Sequence, residues 1–174
     1  MSCEHNCREN HECGSPCDEV RGIVTGYGRF SDDDCHEHGC DGNERCRYAH
    51  IMIAESLDLI KKGIEDDRRG VKAIRGCNYC PGVHCICNGI MKCHYGINEL
   101  KRNLYFAFDC FDCEEEKFIR RGLCLLEKGQ HEEMRGLNFI RHCQIGCGIR
   151  ECEKGIHELV RGVEEIEKNL HKHK

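Results

Sequence analysis

The sequence predicts an all-α protein: an antiparallel four-helix bundle made of four 33-residue repeats, preceded by a Cys-rich N-terminal arm. Three observations predict it. Positions recur every 33 residues in several registers at once: Gly63, Gly96, Gly129 and Gly162; Leu57, Ile90, Leu123 and Ile156; Cys77, Cys110 and Cys143. Apolar residues within each copy are spaced by three and four, which places them on one face of a helix. The links between copies are short, so consecutive helices must lie antiparallel.

Residues 1–43 fall outside the repeat and form the arm; residues 44–174 form the bundle. The first helix carries the seam Ile53, Leu57, Ile60, Ile64, Asp67, Val71 and Ile74. Its end is expected at Gly76–Gly82, where Pro81 and Gly82 stop a helix. In the second helix the seam is Ile86, Ile90, Cys93, Ile97, Leu100, Leu104, Ala107 and Phe111. The triple acid Glu114-Glu115-Glu116 suits the positive end of a helix dipole and opens the third. That helix continues with Ile119, Leu123, Leu126, Gln130, Glu133, Leu137 and Ile140. After a link at Cys143–Gly148 the fourth reads Ile149, Cys152, Ile156, Leu159, Val163, Ile166 and Leu170. These are heptad seams, and each helix is expected to span about 25 residues, or ~37 Å.

Beside the seam runs a second seven-residue series, Gly63, Gly70, Gly89, Gly96, Gly122, Gly129, Gly136, Gly155 and Gly162. Ser56, Asn103 and Asn169 share its phase. A helix-interior glycine costs about 0.8–1 kcal/mol relative to alanine. Close approach of helix backbones is the gain that offsets this. Asp67 and Glu133 are polar residues in the seam that either face each other or meet an arginine such as Arg68 or Arg135. In both cases they read as a polar layer that fixes register.

Composition narrows the function. The chain has 174 residues, a formal net charge of −5, no Trp, two Pro, 12 His and 18 Cys. The charge argues against a nucleic-acid partner, and no run of ~18 apolar residues argues for a membrane span. Cysteine at this density is the usage of a disulfide scaffold. Yet the opening Met1-Ser2-Cys3-Glu4-His5 lacks the apolar stretch of a secretory leader, so no signal peptide is expected.

The cysteines gather at the ends of the predicted rod. Cys77, Cys80, Cys85 and Cys87 mark one corner, with Cys143, Cys147 and Cys152 at the same pole. Cys46, Cys110 and Cys113 mark the other pole, near the arm's Cys3, Cys7, Cys13, Cys17, Cys35 and Cys40. These sixteen are the candidate disulfide or cross-linking residues. Cys93 and Cys152 intrude on the seams, and Cys124 lies beside the third. Metal storage inside a bundle needs thiols along every seam; thiols at the tips suit stapling or joining.

Two sets offer an alternative, zinc or copper binding: Cys77 and Cys80 with Cys143 and Cys147, and the loop Cys35-His36-Glu37-His38-Gly39-Cys40. Otherwise no cofactor is expected. The helices contain no Glu-x-x-His pair, and no phosphate loop, nucleophile elbow or triad is present, so the chain does not read as an enzyme.

Met1-Ser2-Cys3 with His5-Asn6-Cys7, the cysteine content and the missing leader resemble the cysteine-rich structural proteins of bacterial spore coats and exosporia. The resemblance covers composition and the first residues, not the helical repeat, and carries no residue roles across. It implies synthesis in the mother cell, location at the spore surface, and self-assembly into a disulfide-cross-linked lattice. The implied partners are copies of the chain and other Cys-rich coat proteins.

Overall fold

A computed structural model of the chain describes residues 42–107 and 110–170. The sites predicted at Cys3, Cys7, Cys13, Cys17, Cys35, His36, His38 and Cys40 lie outside the described residues. Four helices make up the described structure: α1 (Gly42–Arg75), α2 (Tyr79–Phe106), α3 (Cys113–Arg141) and α4 (Ile145–Leu170). The predicted all-α four-helix bundle is what forms. The helices are 34, 28, 29 and 26 residues long, α1 being well beyond the expected 25 or so. None is long and apolar enough to cross a membrane.

The helices pair as two tight hairpins, α1 with α2 and α3 with α4, which then pack on each other through sparser contacts. Glycine explains the tightness. A Cβ added at Gly63 would sit 2.8 Å from the carbonyl oxygen of Gly89, and one at Gly70 would sit 2.7 Å from that of Gly82. In the second hairpin, Gly129 meets Gly155, Gly136 meets Gly148, and Gly122 meets Gly162, at 2.7–2.9 Å on the same measure. No larger residue fits against a backbone carbonyl at these separations. The glycine series is thus the facing surface of each hairpin, and Ser56, opposite Gly96, continues it. Asn103 extends the row on α2 and donates to the Ser56 hydroxyl at 3.0 Å.

The seams point inward. Ile53, Leu57, Ile60, Ile86, Ile97, Leu100, Leu126, Ile140, Leu159 and Ile166 are almost completely buried. Salt bridges hold the hairpins together at their edges: Lys61 with Glu167 and Arg75 with Glu153 between α1 and α4, and Lys101 with Glu127 between α2 and α3.

Both corners at the first pole are tighter than the sequence suggests. Only residues 76–78 separate α1 from α2, so Pro81 and Gly82 belong to the first turn of α2 instead of ending α1. A proline there loses no helical hydrogen bond, because the first N–H groups of a helix have no partner within it. Similarly, residues 142–144 link α3 to α4, and Gly148 lies within α4. Each corner closes with a Schellman pair of hydrogen bonds, Asn78 N–H to the Ala73 carbonyl and Cys77 N–H to Ile74, then Gln144 to Phe139 and Cys143 to Ile140. The left-handed residue that glycine normally supplies is a cysteine in both, Cys77 (φ 63°) and Cys143 (φ 59°).

At the other pole α3 starts with a complete capping box. The Asp112 carboxylate accepts from the Glu114 and Glu115 amides, and Glu115 accepts from the Asp112 amide.

Candidate functional site

Two arrangements carry chemistry: thiols at the poles and a polar layer at the bundle's waist.

At the corner pole, Tyr79 donates to the Ile140 carbonyl at 2.7 Å, so the α1–α2 and α3–α4 corners stand together as the sequence predicts. Cys143 and Cys147 are exposed free thiols, and Cys85 is a half-buried one. Cys77, Cys80 and Cys87 are disulfide-bonded. The zinc set of Cys77, Cys80, Cys143 and Cys147 therefore combines two bonded cysteines with two free ones. At the opposite pole Cys46 and Cys110 form a disulfide with Cα atoms 5.3 Å apart, closing a separation of 64 residues. The bond ties the first turns of α1 to the segment after α2, and His50 stacks on Phe111 beside it, ring centroids 5.4 Å apart. Cys113 is the first residue of α3. Cys124, outside the predicted set, is an exposed free thiol on α3. Its place beside the seam was the available signal. Cys152, predicted among the cross-linking residues, is instead completely buried, because it is a seam residue of α4. Its thiol turns to the Glu133 carbonyl at 3.9 Å and is withheld from any neighbouring molecule.

The waist is built from Asp67 of α1, Cys93 of α2 and Glu133 of α3, all with no exposed surface. One ligating atom from each lies within 4.8 Å of the others. Of the two sequence expectations for Asp67 and Glu133, facing each other is realised: Arg68 is exposed and Arg135 pairs with Glu151. No lysine, arginine, amide or hydroxyl reaches any of the four carboxyl oxygens, and the two carboxyls have only each other as hydrogen-bond partners. Other buried acids are treated differently. Asp66 pairs with Lys92 and Arg69, Glu132 with Lys154, and Glu158 with Lys128 and Arg161.

Glycine makes room for this layer. Asp67's carboxyl fills the space that a side chain at position 89 would need, and a Cβ at Gly155 would sit 2.5 Å from Cγ of Glu133. The electrostatics follow from burial. Loss of water holds the carboxyls of both Asp67 and Glu133 well above the usual range, and for Glu133 the charge of Asp67 adds to this. Burial also pushes the Cys93 thiol well up, with Glu133 and Asp67 adding to the shift. In the chain by itself the layer therefore resists ionisation at each of its members. The Cys93 thiol donates weakly to the Ile60 carbonyl at 3.6 Å.

Sequence reasoning paired Asp67 with Glu133 as one of two alternatives and placed Cys93 in a seam, but did not join Cys93 to the pair. Comparison with protein-family models, with curated proteins and with solved structures finds no match to this chain.

Proposed function

We propose that the chain is a structural building block, a stiff helical rod that joins copies of itself through disulfides at its ends and sides. The observation that supports this is the division of sulfur: Cys143, Cys147 and Cys124 are exposed free thiols, whereas among the described free cysteines only Cys93 and Cys152 are buried. The rod is suited to the role because both hairpins are locked backbone to backbone by the glycine series. Contacts between unlike surfaces that do not close on themselves extend into sheets or filaments, and each bond adds about 2–4 kcal/mol of resistance to separation, depending on the model of the separated state. The Cys46–Cys110 bond is internal and stiffens the unit instead of joining it to others. A spore-surface location belongs to this reading through the compositional resemblance alone. The role is structural, and no catalytic step is assigned.

The test is electrophoresis and electron microscopy of air-oxidised full-length chain. A ladder of covalent multimers that collapses to 20.1 kDa with reductant is expected, and it should shorten in a Cys124→Ser/Cys143→Ser/Cys147→Ser variant. A monomer under both conditions overturns the reading.

A further inference from the structure

We propose that Asp67, Cys93 and Glu133 form a buried binding site for one divalent cation of the zinc class, tying the two hairpins together at the waist. Three arguments carry it. The first is convergence: two carboxyls and a thiol, from three helices, bring ligating atoms within 4.8 Å of one another with no exposed surface. The second is the missing partner. Burying a polar group without a hydrogen bond is costly, and burying a charge more so. This fold supplies a lysine to Asp66, Glu132 and Glu158, but Asp67 and Glu133 receive no donor from any third group and have only each other's carboxyl to bond with. The third is the glycine notch. Gly89 and Gly155 leave space that the acid side chains occupy, so the layer is accommodated by both hairpins in the same way.

The donor set selects the ion. A thiolate with two carboxylates presents three charges, which one dication largely offsets. Calcium and magnesium take oxygen ligands and have no use for the sulfur, and copper(I) prefers sulfur throughout. Zinc accepts sulfur and oxygen together, and three protein ligands leave its fourth position for a further donor. Asp67 and Cys93 come from the first hairpin and Glu133 from the second. The ion thus bridges an interface whose direct contacts are sparse.

The site is separable from the polar thiols, which allows a clean test. Iodoacetamide applied to the folded full-length chain blocks the exposed thiols and spares Cys93, which has no exposed surface. After dialysis against a chelator, Co2+ is titrated in as a spectroscopic stand-in for Zn2+. One equivalent should bind, with visible bands of four-coordinate cobalt and a near-ultraviolet thiolate-to-cobalt band, and Zn2+ should bleach both. Cys93→Ser should lose the thiolate band. Asp67→Asn and Glu133→Gln, which keep shape and remove charge, should lose stoichiometric binding while their circular dichroism stays helical. Leu159→Cys places a thiol at the position 66 residues from Cys93, its equivalent in the second hairpin, and should strengthen the thiolate band. No stoichiometric cobalt spectrum in the folded chain overturns the site and leaves a proton-sharing carboxyl pair. A spectrum unchanged in Cys93→Ser and Asp67→Asn also overturns it. Neither result bears on the disulfide ladder, which is measured without metal.

Discussion

The hairpin of α1 and α2 and the hairpin of α3 and α4 share one plan of glycines and seam positions. Gly63, Gly70, Gly89 and Gly96 of the first recur 66 residues later as Gly129, Gly136, Gly155 and Gly162. The left-handed corner Cys77 recurs as Cys143, and the buried acid Asp67 as Glu133. Yet Cys93 corresponds to Leu159, and the Cys46–Cys110 bond has no counterpart, since the position 66 residues after Cys46 is Asp112, the N-cap of α3. The shared positions govern how close the backbones come. Cys46 and Cys93 are among the unshared ones, and they carry the covalent staple and the third arm of the buried cluster. The repeat keeps the geometry while the chemistry is placed unequally.

Removing the staple is the sharpest way to test that inequality. Cys46→Ser frees a 64-residue separation in the first hairpin only, and chain entropy puts the loss near 4 kcal/mol. A urea midpoint falling by the corresponding amount is expected.

Next in size come the glycines, which should break both hairpins alike. Gly63→Ala and Gly129→Ala each drive a methyl against a backbone carbonyl, at 2.8 and 2.7 Å. Since backbone cannot step aside cheaply, each should cost about 1–3 kcal/mol or more of overpacking. Gly146→Ala is the control: nothing lies within 4 Å of its added carbon, so thermal unfolding should show no loss, and a gain of up to about 1 kcal/mol from helix propensity.

A smaller effect with the opposite sign is expected at the second corner. Cys143 holds a conformation that disfavours side chains by roughly 1–2 kcal/mol. Cys143→Gly should therefore raise the denaturation midpoint while removing one exposed thiol. A protein made less stable by this change would mean that the side chain supports the fold, contrary to its exposed position.

The smallest effect is electrostatic. The hydrogen bond from Lys128 is the main reason the Glu158 carboxyl titrates below its ordinary value, partly opposed by burial. A carboxyl held low in the folded state contributes stability above its unfolded pKa and loses it as pH falls through the folded one. Glu158→Gln should thus lower the melting temperature slightly at neutral pH, and the gap from the parent chain should close in acid. Because Lys128 is half-exposed, solvent screens the pair and the shift is small.

Much of this molecule was readable in one dimension. The seam of α1 was named residue by residue, from Ile53 to Ile74, and every one of those positions is buried. The glycine phase in the sequence marks the surfaces that face each other in both hairpins. Helix limits were less legible. Pro81 and Gly82 read as a stop because proline breaks a helix interior, but the first turn of α2 tolerates both. Cys152 was grouped with the pole by its place in the chain, whereas its seam register buries it.

What the sequence alone determined is the part written in local periods. A seven-residue phase selects which face of a helix is apolar and which is notched, and short links make neighbours antiparallel. Tertiary structure decided which distant side chains meet. Asp67 reaches Cys93 and Glu133, and Cys46 reaches Cys110, only because of how the hairpins rotate and approach one another. No local pattern encodes that rotation; it is set by packing of all four seams together.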